Sequence, residues 1–167
     1  SVPYQHGIFQ IDFNFMQHQL IIITSMGKRD TVALKPRTVA DFYRELFDKL
    51  AALDIDVSIY GMPSEIEGAI PFEEDRLHQS YDAAKMEDFW QALVKIHNVF
   101  TRFRSRFTGK CSPVHFFWGA FDLAITRFSG RDAPVHPGQA PNIPAVVMQE
   151  AYSKEVSSCG FWPGSEQ

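Results

Sequence analysis

The feature that most constrains the fold is a long apolar repeat in the second half of the chain. Large apolar side chains recur there at spacings of four and three residues: Phe89, Leu93, Ile96, Phe100, Phe103 and Phe107. This spacing places all of them on one face of an α-helix. Asp82 is a suitable N-cap, and Gly109 stands where a C-cap glycine is expected. The repeat therefore predicts a continuous helix over about residues 83–107, buried along this face.

The first 60 residues combine strand patterns with a second helix. Residues 8–35 predict a meander of three antiparallel strands, because apolar and polar side chains alternate over 9–15 and two further apolar runs follow. Thr38 is a predicted N-cap, with Asp41 three residues later, and opens a helix with one apolar stripe. Residues 55–60 predict a further strand.

The remaining segments are less regular. Residues 61–80 form a long acidic stretch that is either a functional loop or a short element. Residues 112–128 are apolar on both alternating faces and predict one or two central strands, with Gly119 as a bulge or turn. Residues 129–144 are rich in Pro and Gly and predict a loop, followed by a short helix near 145–155 and a turn-rich tail.

These patterns predict an α+β fold. We expect a mainly antiparallel sheet of about five to six strands, with two principal helices packed on it. The 167 residues are expected to form a single domain, residues 1–167, within a longer protein.

Composition narrows the classes of function. The formal net charge of −4 argues against nucleic-acid binding. No apolar run approaches the roughly 18 residues of a membrane span, and no signal peptide is visible, so we expect a soluble cytoplasmic protein. Cys111 and Cys159 are far apart and predict free, dispensable thiols. The six histidines are scattered, and no metal site is predicted. No known cofactor motif is present, so cofactor and oligomeric state stay open.

Polar residues that interrupt the apolar strand region mark the candidate site. His115, Asp122 and Arg127 need partners, because an unpaired polar group in a buried strand costs about 1–3 kcal/mol. For Arg127 we expect a carboxylate partner, with Glu155 the first choice and Asp122 or Glu150 next. His115 is expected to lie in the same neighbourhood and to line the best-formed cavity.

Two interpretations of these residues stay open. In the first, the HFFWG strand and the YSKE and FWPG segments of the tail form a small-molecule pocket, with or without enzymatic activity. Its catalytic candidates are His115 and Glu155, and its ligand-binding candidates are Trp118, Asp122, Arg127, Arg131, Tyr152 and Trp162. In the second, the same residues form a stabilising network in a non-catalytic structural or protein-interaction module. A pocket predicts that Trp118 and Trp162 flank a concave space, whereas the module predicts that they are packed or form a docking surface.

Several stretches of the chain resemble a bacterial family of unknown function, the DUF5996 family. The resemblance is carried by KCSPVHFFWGAFDLAITRFSGR at 110–131, AYSKEVSSCGFWPG at 151–164, IDFNF at 11–15, LKPRTVADFY at 34–43 and IPFEED at 70–75. It implies a soluble bacterial protein and supplies no activity. It also implies that further segments flank the chain on both sides. The family pattern has an apolar residue in place of Cys111, a small one in place of Cys159 and His in place of Lys154, which argues against catalytic thiols and against a metal site.

Overall fold

The computed structural model describes residues 1–63, 68–119, 121–138 and 144–164. The chain divides into two compact units, Ser1–Trp90 and Gln91–Gln167. The α+β class is confirmed, but the strands form two antiparallel sheets of four and three strands instead of one larger sheet. The elements are β1 (Val2–Tyr4), β2 (Gly7–Asn14), β3 (Gln19–Thr24), β4 (Arg29–Ala33), α1 (Val39–Ala52), α2 (Ala83–Ser105), β5 (His115–Phe117), β6 (Asp122–Asp132), α3 (Ala145–Ala151) and β7 (Lys154–Phe161).

The first unit contains the predicted meander. Its strands lie in the order β1-β2-β3-β4, all antiparallel. The apolar run of β3 fills the core with Leu20 and Ile22, which pack with Leu50 of α1. Strand β1 was not predicted, because three residues that include a proline are too short to show a period of two.

Helix α1 begins where the sequence predicts. The Thr38 hydroxyl oxygen accepts a hydrogen bond from the backbone N–H of Asp41 at 3.1 Å, which confirms the N-cap. The acidic segment that follows α1 also serves its N-terminus: backbone N–H groups of Val39 and Ala40 donate to the carbonyls of His78 and Asp75. The described part of residues 61–80 thus supplies hydrogen-bond acceptors for the first turn of this helix. Residues 64–67 lie outside the described residues.

The strand predicted at residues 55–60 is wrong, since this segment has no regular secondary structure. Ile55 is buried in the core directly after α1, whereas Ile59 and Tyr60 are largely exposed. Val57 also packs against the core, so residues 55, 57 and 59 imitate the alternation of a strand, although this segment forms no strand.

Helix α2 confirms the long apolar repeat. The Asp82 carboxylate accepts the backbone N–H of Lys85 at 3.1 Å, as expected for an N-cap. Leu93 and Phe100 are buried, while Phe89, Ile96 and Phe103 are half-buried, so the predicted burial is only partly observed. The helix ends at Ser105, two residues earlier than predicted. Of the helices in the described ranges, none is long and apolar enough to cross a membrane.

The second unit holds a sheet with the order β5-β6-β7. Gly119 lies in the β5–β6 turn, as expected. The loop predicted from residue 129 is wrong up to Asp132, because β6 continues that far, and the predicted turn-rich tail is strand β7. Gly130 has φ +82° and lies in a register irregularity between Phe128 and Asp132, which lets the strand continue through a polar sequence.

The helix predicted near residues 145–155 is present but ends at Ala151, where the chain turns into β7. Residues 139–143 of the predicted loop and 165–167 of the tail lie outside the described residues. Both cysteines are free and half-buried, in agreement with the prediction.

Candidate functional site

An open cavity of about 560 Å³ lies in the second unit, at the C-terminal half of β6 and the first residues of β7. We call it the β6–β7 groove. It brings together three of the predicted site residues, Arg127, Arg131 and Glu155, and adds five others. The complete lining is Phe107, Arg127, Phe128, Ser129, Arg131, Glu155, Val156 and Ser157.

The alternation of side chains along β6 explains why Arg127 reaches this groove. Leu123 and Ile125 are buried, and Arg127 follows them on the same face of the strand, since side chains two residues apart point the same way. Arg127 pairs with Ser157 across the β6–β7 ladder. The strand thus carries an apolar face that becomes cationic at Arg127.

The surroundings of Arg127 are aromatic. Its guanidinium carbon lies 3.4 Å from the centroid of the Phe103 ring and 5.4 Å from that of Phe107. Nη2 donates a hydrogen bond to the backbone carbonyl of Phe103. Nε is buried and has no hydrogen-bond partner. The guanidinium is therefore held on a ring face, with a neutral carbonyl as its acceptor.

The predicted ion pair between Arg127 and a carboxylate is wrong. The β6–β7 ladder pairs Phe128 with Val156 and then Asp132 with Lys154, so that residues 129–131 bulge opposite Glu155. Glu155 consequently meets Arg131 instead: Nε of Arg131 lies 2.6 Å from Oε2 of Glu155. The two other carboxylates considered for Arg127, on Asp122 and Glu150, form no ion pair with it in the described part of the chain, and Asp122 has the opposite strand parity.

The Arg131–Glu155 pair lies at the open side of the groove. The two side chains are 78% and 42% exposed. Ser129 supports the pair, because its hydroxyl donates to Glu155 at 3.4 Å and accepts the backbone N–H of Arg131 at 3.0 Å. An exposed ion pair contributes only about 0–1 kcal/mol, so either partner can exchange it for a ligand group at little cost.

The two catalytic candidates do not meet. His115 pairs with Ala124 across the ladder, and Ala124 with Gly160, which places Glu155 about 17 Å further along β7 at roughly 3.4 Å per residue. His115 instead donates from Nδ1 to the Pro113 carbonyl at 2.9 Å, since a carbonyl only accepts. It is half-buried and does not belong to the lining of the β6–β7 groove. His115 therefore does not share this groove with Arg127.

The predicted aromatic walls also lie elsewhere. Trp118 and Trp162 are 57% and 58% exposed, and neither lines the groove. Trp118 contacts Phe116 edge-on at 5.1 Å between ring centroids, and Tyr152 stacks on His136 at 4.8 Å. Neither Asp122 nor Tyr152 lines the groove. The ligand-binding candidates thus separate into two that share the groove, Arg127 and Arg131, and four that do not.

Sequence reasoning missed most of the apolar and hydroxyl lining. Phe107 is the last residue of the α2 repeat and lies beyond the end of the helix. Ser129 belongs to a run in which Arg127, Ser129 and Arg131 alternate, which is a strand signal. Extending the predicted strand past residue 128 would have revealed it.

The comparisons with known proteins support one statement. The model of a family of unknown function, DUF5996, matches residues 1–167, the full length of the sequence, which confirms the resemblance seen in the strand and tail motifs. No curated protein and no solved structure matches the chain. The family carries no assigned reaction or ligand, so function has to be argued from the groove.

Proposed function

We propose that this chain, which belongs to the DUF5996 family of unknown function, binds a small organic molecule in the β6–β7 groove. The observation that carries the proposal is the groove itself: about 560 Å³, lined by three apolar and five polar or charged residues. Its volume lies within the range of about 300–1,000 Å³ that is typical of ligand sites, and its lining is more polar than that of most such sites.

The proposal is limited to binding. Of the described residues, those that line the groove include one carboxylate, Glu155, and no histidine or cysteine. General acid–base catalysis needs groups within hydrogen-bond reach of each other or of a shared substrate, and His115 is far from Glu155. We therefore assign no reaction. The proposed compartment is the cytoplasm, a setting that suits two free thiols.

A fragment screen by NMR on the ¹⁵N-labelled chain tests the proposal. Compounds that bind in the groove should shift the amide signals of Ser129, Arg131 and Ser157. Ser157→Phe fills the groove and should abolish these shifts. Ser158→Phe is the matched control, because Ser158 is the next residue of β7 and does not line the groove. The proposal fails if no compound shifts these signals, or if Ser157→Phe leaves binding unchanged.

A second candidate function is a protein-interaction module. It is favoured by one observation: Phe117, Trp118 and Trp162 are each at least half exposed, which is unusual for large aromatic side chains. Self-association is the simplest form of such a role. Sedimentation velocity over a range of concentrations should then show a dimer that Trp162→Ala dissociates, whereas a monomer at all concentrations would count against self-association.

A further inference from the structure

We infer that the ligand of the β6–β7 groove is a monocarboxylate that carries an apolar group, bound through Arg127. The inference rests on the proposed function and names its ligand class. Three features of the groove support it: the unpaired charge of Arg127, the sum of the charges in the lining, and the apolar walls.

The charge of Arg127 has no counterion among the described residues. A guanidinium cannot give up its proton, so the side chain keeps its charge even where burial makes that costly. Its protein partners, the Phe103 ring and the Phe103 carbonyl, are both neutral, and Nε has no partner at all. A ligand anion in the groove would supply the missing countercharge. The planar guanidinium matches a carboxylate, which it can bind through two parallel hydrogen bonds.

The charges of the lining indicate how many negative charges the ligand carries. Arg131 and Glu155 neutralise each other at 2.6 Å, which leaves the single positive charge of Arg127. A monoanion balances that charge. A phosphate dianion would add a second negative charge close to Glu155, and like charges at short range are unfavourable.

The walls of the groove favour a carboxylate with an apolar substituent. Phe107, Phe128 and Val156 line it beside the polar groups. An anion without apolar surface, such as inorganic phosphate, would leave these side chains in contact with water. A carboxylic acid with an aromatic or aliphatic chain would cover them and gain from their burial.

The test is an NMR titration of the full chain with 3-phenylpropionate, its neutral amide 3-phenylpropionamide, and inorganic phosphate. The carboxylate should shift the groove amides and bind about tenfold to 100-fold more tightly than the amide, because the charged hydrogen bonds are lost with the charge. Arg127→Met should weaken the binding of the carboxylate by a similar factor. Arg104→Met is the control, since Arg104 donates to the Ser112 carbonyl and does not line the groove.

A variant that binds the carboxylate more tightly distinguishes the inference from a loss of binding caused by unfolding. Glu155→Gln removes the competing negative charge, and we expect it to tighten carboxylate binding several-fold. Glu150→Gln changes the net charge equally on α3, outside the groove lining, and should have no effect. Equal binding of acid and amide, tighter binding of phosphate, or weaker binding by Glu155→Gln would each overturn the inference. In those cases the proposed binding function of the groove is retained if other compounds of the screen bind there. If no compound binds, the proposed function and the carboxylate inference are both wrong.

Discussion

Replacing Arg127 by Met distinguishes a binding site from a stabilising network. Methionine keeps an unbranched stem on the Phe103 and Phe107 rings and removes the charge. We expect the free energy of unfolding to change by less than about 1 kcal/mol, while carboxylate binding is weakened about tenfold to 100-fold. A residue retained for stability would behave in the opposite way.

The expected magnitude follows from the contacts of the guanidinium. Removing it loses a charged hydrogen bond to the Phe103 carbonyl, about 1.5–3 kcal/mol, and a close cation–π contact of roughly 1–2 kcal/mol. It also removes an unsatisfied buried Nε, which costs about 1–3 kcal/mol, and the desolvation of a partly buried charge. The thioether adds about 0.3–1.5 kcal/mol of contact with the rings. Gains and losses are therefore of equal size.

Urea unfolding, followed by tryptophan fluorescence and by circular dichroism, measures the difference in unfolding free energy between the wild type and Arg127→Met. Arg104→Met is the control, because Arg104 is exposed and its guanidinium donates to the Ser112 carbonyl. It should change the unfolding free energy by less than about 0.5 kcal/mol. A loss of more than about 3 kcal/mol for Arg127→Met would refute the reasoning, since Arg127 would then stabilise the fold even without an anionic partner.

Three further predictions concern the rest of the chain. Phe100→Ala should lower the unfolding free energy by about 3–5 kcal/mol, since Phe100 is buried, whereas Val99→Ala, at an exposed position of the same helix, should cost less than about 0.5 kcal/mol. The hydrogen bond from the backbone N–H of His78, with further hydrogen bonds, holds the pKa of Asp75 below its usual 3.8. The Asp75 carboxylate therefore stabilises the fold above about pH 4, and this stabilisation is lost as pH falls through the lowered pKa. The stability gap between wild type and Asp75→Asn should therefore narrow below pH 4, with Glu73→Gln as an exposed control. Replacing both free cysteines by small residues should cost less than about 2 kcal/mol, and thiol titration should find both reactive after unfolding.

Helices α1 and α2 and strands β2 to β4 could be predicted because apolar residues recur at regular spacings along them. Helix α2 shows its period over many residues, and the Thr38 N-cap depends on a residue type that acts locally. Strand β7 could not be predicted, because Lys154–Phe161 is mostly polar or small and shows no alternation. It is a strand because β6 offers a hydrogen-bonding edge, which is a property of the partner and is absent from its own sequence.

The sequence predicted which charged residues belong to the candidate site, but it did not predict which of them form an ion pair. Arg127, Arg131 and Glu155 stand out because charges are rare in this apolar region. Which arginine meets Glu155 depends on a bulge whose position is set by Gly130 and the β6–β7 register. A shift of two residues in that register would have placed Glu155 opposite Arg127, and no pattern in the sequence specifies it.

The position of the groove follows from the point on β6 at which α2 ends. From Leu123 to Arg131 the strand covers about 26 Å at roughly 3.3 Å per residue, and one face of it begins with the buried Leu123 and Ile125. Helix α2 ends at Ser105, and its last aromatic ring in contact with this face is Phe103, which lies against Arg127. Beyond that point the face is lined by hydroxyl and cationic side chains and is open. Past the end of α2, apolar side chains on this face of β6 would be exposed to water. The change from apolar to charged residues at Arg127 therefore marks the edge of the core and the beginning of the site.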